Sequence, residues 1–145
     1  MPLLHKGVQM LTDKAPKVIS PRTHAIIDYA IVAGGFFVAG ALAWRRHKRA
    51  AISAFICGAA ETGVAMITDF PGGVTPLISF PTHLKIDAGL SAVTATMPNL
   101  MGFDDEGWPA TFFRLHGTAM AAVGGLTQPE VGIARRTESE FRRVA

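Results

Sequence analysis

Two histidine–aspartate pairs recur in the sequence, 59 positions apart and in nearly the same context. His24 and Asp28 lie in ISPRTHAIID, and His83 and Asp87 lie in ISFPTHLKID. Residues i and i+4 share one face of a helix, so each carboxylate can hold the imidazole of its own pair and fix the ring tautomer. This arrangement suits a metal or haem ligand, a base for proton transfer, or two polar groups that satisfy each other in an apolar environment.

Glu61 is a further acidic residue inside an apolar segment, and ionisable groups in such segments are candidates for function. We therefore predict a ligand or metal site from five residues, namely His24, Asp28, Glu61, His83 and Asp87. Two histidines with carboxylates could hold zinc or iron, two facing histidines could hold haem, and a quinone site is another alternative. Proton or ion conduction through these residues, and polar packing at helix ends without a ligand, are the remaining interpretations.

Four long apolar segments carry these residues. Hydrophobic residues make up 49% of the chain and charged residues 17%. Each segment approaches the roughly 20 residues that cross a bilayer core, and none shows the polar stripe typical of a soluble helix. The sequence predicts four transmembrane helices rather than a soluble bundle, within segments 25–44, 50–68, 86–103 and 110–127.

The offset of 59 residues extends through the whole apolar region. It aligns Gly58 with Gly117 and Thr68 with Thr127. Because each unit crosses the membrane twice, both copies have the same orientation, and a pseudo-twofold axis runs along the membrane normal. We predict an all-α, four-helix transmembrane bundle of two tandem two-helix repeats. Its parts are an N-terminal tail with an interfacial helix (1–18), repeat 1 (19–77), repeat 2 (78–128) and a basic C-terminal tail (129–145).

The predicted helix directions divide the bundle into two ends. We call side A the end that holds both tails and the connection between the second and third helices, and side B the opposite end. A rise of about 1.5 Å per residue places both His–Asp pairs and Glu61 in the half nearer side A. The same estimate places His116 nearer side B, far from the five candidate residues.

Local signals predict how the helices begin and pack. Ser20 and Thr82 are predicted N-caps of the first and third helices. Cys57 is predicted to be a small buried packing residue rather than a nucleophile. Small residues at intervals of four predict close helix–helix contacts, as is typical in lipid. They are Ala54, Gly58 and Thr62 on the second helix and Gly117, Ala121 and Gly125 on the fourth.

The basic residues concentrate at the predicted helix ends, and the net charge is +3. Lipid headgroups account for such clusters as well as DNA does, so we predict a lipid bilayer and no nucleic acid as partner. A homo-oligomer or a larger membrane complex is a further predicted partner. The total number of Lys and Arg residues is larger on side A, which favours an orientation with side A facing the cytoplasm at a bacterial inner membrane. The dense cluster at 45–49 on side B favours the opposite orientation.

Several motifs resemble the SPW-repeat family of small integral membrane proteins. They are the His-x-x-x-Asp-Tyr at His24–Tyr29, the ITDF at 67–70 and the MPNLMGF at 97–103. Met97, Pro98 and Asn99 occupy the positions of the family's Ser-Pro-Trp signature. The resemblance implies tandem transmembrane hairpins and lends no catalytic residues. We therefore predict a structural or accessory membrane component that acts through helix packing and is not an enzyme, with a redox or ligand-binding protein and a proton or ion conductor as alternatives.

Overall fold

Four helices dominate the part of the chain that the structure describes, residues 16–129 of a computed structural model. They are α1 (Pro21–Trp44), α2 (Lys48–Met66), α3 (Phe80–Met101) and α4 (Trp108–Leu126), and the two-residue strands β1 (Thr68–Asp69) and β2 (Ile78–Ser79) connect α2 to α3. Helix α1 packs on α2, α3 packs on α4, and the two hairpins meet chiefly through α2 and α3. The predicted all-helical, four-helix architecture is confirmed. The two predicted tails lie almost entirely outside the described residues.

Helices α1 and α3 begin at equivalent positions of the two repeats. The backbone N–H of Thr23 donates to Ser20 Oγ at 3.2 Å, so Ser20 caps α1 as predicted. In α3 the N-cap position belongs to Ser79, the repeat counterpart of Ser20, and the prediction of Thr82 was wrong. The Thr82 hydroxyl instead pairs with the Ser79 hydroxyl at 2.9 Å. The register of the repeat therefore locates this helix start better than the local Pro-Thr signal does.

Each two-helix unit ends at side A in the same backbone contact, a hydrogen bond with a short parallel bridge, which we call a clamp. The N–H of Ile78 donates to the carbonyl of Ile67 at 3.0 Å, and β1 pairs with β2 in parallel. At the equivalent place, the N–H of Ile19 donates to the carbonyl of Leu126 at 3.0 Å, and an isolated parallel bridge joins Ile19 to Thr127. These clamps hold the end of α2 beside the start of α3, and the end of α4 beside the start of α1.

At side B, the first repeat contacts the turn of the second. Gly102 ends α3 in the left-handed conformation (φ 66°), which glycine adopts without steric cost, and its carbonyl accepts a hydrogen bond from Arg49 Nη1 at 2.8 Å. His47 Nδ1 lies 2.7 Å from Glu106 Oε2. The side B connections are therefore tied together by polar contacts that are separate from the His–Asp pairs.

The predicted small-residue contacts differ from one position to the next. A Cβ added at Gly117 would lie 2.5 Å from the Ser91 carbonyl oxygen and 2.6 Å from Ala95 N, so α4 approaches the backbone of α3 closely there. Gly58 faces the ring of Phe36 at 3.4 Å. Ala54 is buried, and the Thr62 hydroxyl donates to the carbonyl of Gly58. Ala121 is exposed and a Cβ at Gly125 would meet no atom within 4 Å, so these two positions do not pack against another described helix.

One helix within residues 16–129 is long and apolar enough to cross a membrane, namely α1. By the same criterion of length and composition, α2, α3 and α4 fall short.

Candidate metal centre

The two His–Asp pairs converge between α1 and α3 in a single group, which we call the central cluster (His24, Asp28, His83 and Asp87). His24 Nε2 lies 3.3 Å from His83 Nε2, 3.3 Å from Asp28 Oδ2 and 3.1 Å from Asp87 Oδ2. His83 Nε2 lies 3.1 Å from Asp28 Oδ2 and 3.0 Å from Asp87 Oδ2. All four ligand atoms lie within 4.8 Å of one another. Each histidine thus contacts the aspartate of its own helix and that of the other repeat.

Two threonine hydroxyls orient the imidazole rings. Thr68 Oγ1 lies 2.8 Å from His83 Nδ1 and 2.6 Å from the carbonyl of Val64, while Thr127 repeats this geometry with His24 (2.8 Å) and the carbonyl of Val123 (2.7 Å). A hydroxyl has one proton, which the carbonyl accepts, so both contacts are satisfied only when the ring Nδ1–H donates to the threonine oxygen. Each threonine therefore fixes the tautomer and directs Nε2 into the central cluster.

The central cluster concentrates electron-pair donors. Two carboxylates and two Nε2 atoms face one another, while the two histidine side chains are only 1% and 2% exposed. With Nδ1 already protonated, neutral imidazoles would present only lone pairs beside two negative charges, which is unfavourable away from water. Two protons on the Nε2 atoms or one divalent cation between them would each neutralise the group.

Aromatic side chains cover the central cluster at side A. The ring of Phe80 lies against both imidazoles, with centroids 5.3 Å from His24 and 5.7 Å from His83. Phe70 lies 5.2 Å from His83 and stacks on Phe80. Both phenylalanines are buried, so they separate the histidines from that end of the bundle.

A cavity of about 20 Å³ opens from the central cluster toward the middle of the bundle. Glu61, the fifth predicted site residue, lines it, together with Met120 and Val123. A volume of this size holds about one water molecule. The cavity is too small for a quinone, and two Nε2 atoms 3.3 Å apart with carboxylates between them leave no space for a porphyrin.

His116 lies close to Glu61, and the prediction that it is far from all five candidates was wrong. His116 Nε2 is 3.9 Å from Glu61 Oε1. The prediction compared backbone heights, in which the two residues differ by about 6 Å. Side chains on a helix tilt toward its N-terminus, which is side B for α2, and the long Glu61 side chain therefore reaches toward His116.

Sequence reasoning missed the threonines and the aromatic cover. The offset aligned Thr68 with Thr127, and both follow the last turn of a helix at the depth of the histidines, so a signal for them was present. Phe70 and Phe80 carry no such signal, because neither has an aromatic counterpart at the offset of 59 residues, where Phe70 aligns with Pro129 and Phe80 with Pro21. Their role depends on how the connection between α2 and α3 folds.

Comparisons with known proteins give no assignment. No protein-family model matches the chain, and no curated protein or solved structure is significantly similar to it.

Proposed function

We propose that this chain is an integral membrane protein of the SPW-repeat type that binds one divalent metal ion, Zn²⁺ by preference, in the central cluster. The observation that carries the proposal is the shape of the group of four ligand atoms. Five of its six edges measure between 3.0 and 3.3 Å. A tetrahedral ion with ligands at about 2.0–2.1 Å has edges of about 3.3–3.4 Å, so these five edges lie within a few tenths of an ångström of a tetrahedral site. The sixth edge, between the two carboxylates, is at most 4.8 Å.

The donor types favour the same class of ion. Two imidazole nitrogens and two carboxylate oxygens suit zinc and other borderline divalent ions, while Ca²⁺ and Mg²⁺ prefer sites built from oxygen alone. The ion would also neutralise the two negative charges of Asp28 and Asp87. Thr68 and Thr127 provide the second contact of each histidine ring, a feature that accompanies most histidine ligands in proteins.

The membrane part of the proposal rests on the outer surface of the bundle. Large apolar side chains point outward along the helices, including Phe37 (79% exposed), Phe55 (59%) and Leu115 (66%). Large exposed apolar surfaces mark contact with lipid or with another protein. The helices contain 19 to 24 residues and therefore span about 28–36 Å, which matches a bilayer core. We place the termini on the cytoplasmic side of a bacterial inner membrane.

Metal analysis of the purified protein in mild detergent tests this function. We expect one equivalent of zinc per chain, replaceable by Co²⁺ with the visible absorption of a tetrahedral site. The double variant His24→Ala/His83→Ala should lose the zinc that remains bound through purification and the visible absorption that the first equivalent of Co²⁺ gives. His47→Ala is the matched control, because His47 also contacts a carboxylate but lies at side B. A folded wild-type protein that binds neither ion would overturn the proposal and favour a role through helix packing alone.

A further inference from the structure

Glu61 is a buried carboxylate without a hydrogen-bond partner. Within residues 16–129, its Oε1 is the one buried side-chain nitrogen or oxygen that lacks a partner, and the side chain is only 8% exposed. A carboxylate oxygen that is buried without a hydrogen bond is costly, and native structures satisfy nearly all such groups. Glu61 therefore calls for a cation or a polar ligand that completes its contacts.

The two repeats differ at this level of the bundle. The counterpart of Glu61 in the second repeat is Met120, and the counterpart of Cys57 is His116. Toward side B from the symmetric His–Asp pairs, the two repeats therefore carry different side chains. The first repeat has Cys57 and Glu61, and the second has His116 and Met120. This asymmetry does not arise from duplication of the fold and requires its own explanation.

Cys57, Glu61 and His116 surround a second cavity of about 10 Å³. Cys57 and Glu61 lie at i and i+4 on α2 and share one face, and His116 approaches from α4 with Nε2 at 3.9 Å from Glu61 Oε1. Glu61 lines both this cavity and that of the central cluster. The two cavities therefore follow one another along the interior of the bundle and meet at Glu61.

We propose that Cys57, Glu61 and His116 form a second metal site, separate from the central cluster. A thiolate, a carboxylate and an imidazole are a three-ligand set suited to Zn²⁺ and Co²⁺, with a fourth position left for water. Binding displaces the thiol proton, and the ion supplies the partner that Glu61 Oε1 lacks. The three ligand atoms are less closely grouped than those of the central cluster, so side chains must rotate and this site binds metal more weakly than the first.

Titration of the full-length protein with Co²⁺ separates the two sites, because a thiolate–cobalt bond adds a near-ultraviolet charge-transfer band. The chain contains a single cysteine, so this band reports on Cys57 alone. We expect visible absorption from the first equivalent and the charge-transfer band from a second, weaker equivalent. Cys57→Ser should lose the band and keep the first site, whereas His24→Ala/His83→Ala should lose the first site and keep the band.

Two further variants test the other ligands. Glu61→Gln and His116→Phe should each weaken the second equivalent by at least about tenfold. Met120→Leu, at the repeat counterpart of Glu61, is the matched control and should bind both equivalents as the wild type does. Absence of the band at saturating Co²⁺, or a band that Glu61→Gln and His116→Phe leave unchanged, would overturn the second site. Neither result would affect the first site, which contains no thiol.

Discussion

His24 Nε2 and His83 Nε2 lie 3.3 Å apart although 59 residues separate them in the chain. Each ring is fixed by a threonine at the end of a helix that does not carry it, Thr127 for His24 and Thr68 for His83. The backbone contacts at side A hold the end of α2 beside the start of α3, and the end of α4 beside the start of α1. The duplicated unit thus forms one composite site, to which each copy contributes half of the ligands.

Removal of either threonine hydroxyl should weaken metal binding. Thr68→Val and Thr127→Val each remove the acceptor that fixes the histidine tautomer, and we expect a loss of affinity of about 10–100-fold in both. Competition with a chelator of known affinity measures this loss. Thr118→Val is the control, since Thr118 makes the same hydrogen bond to a backbone carbonyl four residues earlier but has no hydrogen bond to any histidine within residues 16–129. Unequal effects of the two substitutions would contradict the symmetric arrangement.

Metal binding at the central cluster should release protons. Below the pH at which the Nε2 atoms lose their protons, a divalent ion replaces both, so we expect about two protons released per ion. Affinity should then fall as pH falls, by up to about two decades per pH unit in that range. Calorimetry in buffers of different ionisation enthalpy counts the protons. If metal binding released no protons between neutral and acidic pH, the Nε2 atoms of the central cluster would not carry protons in the metal-free protein.

Substitution of Gly117 should destabilise the bundle. Gly117→Ala places a methyl group against the backbone of α3 at Ser91 and Ala95, and we expect a loss of about 1–3 kcal/mol in the free energy of unfolding. Gly124→Ala is the control, because a Cβ there meets no atom within 4 Å. That change should be neutral or stabilise by up to about 1 kcal/mol through helix propensity. Reversible unfolding in mixed detergent micelles compares the two, and equal stability would contradict the close approach of α4 to α3.

Removal of the aromatic cover should accelerate metal exchange. Phe70→Ala opens the cluster toward side A while leaving every ligand in place, so we expect metal loss to a chelator to be at least about tenfold faster. Phe70→Leu retains an apolar cover and should lose metal nearly as slowly as the wild type does. Stopped-flow measurement of metal transfer to a coloured chelator gives these rates. An unchanged rate in Phe70→Ala would show that the ion leaves by another route, such as the cavity at Glu61.

The sequence by itself determined the local features of this protein. Apolar segments specify the four helices, the offset between repeats fixes equivalent positions, and spacing by four places each histidine on the same face as its aspartate. These features depend on helix geometry within a few residues. For the same reason the local signal at Ser20 predicts the N-cap of α1 correctly. At the start of α3 the Pro-Thr signal points to Thr82, whereas the repeat register points to Ser79, which is the N-cap in the structure.

Only the tertiary structure decided which side chains from different helices meet. The distance between His24 and His83, the threonine that holds each ring, and the approach of His116 to Glu61 depend on how helices are placed and rotated against one another. A change of one ångström in helix position separates ligands from a bound ion, yet leaves the helical pattern of the sequence unchanged. Sequence spacing therefore identified the four residues of the central cluster, and packing between the repeats brought them together in one site.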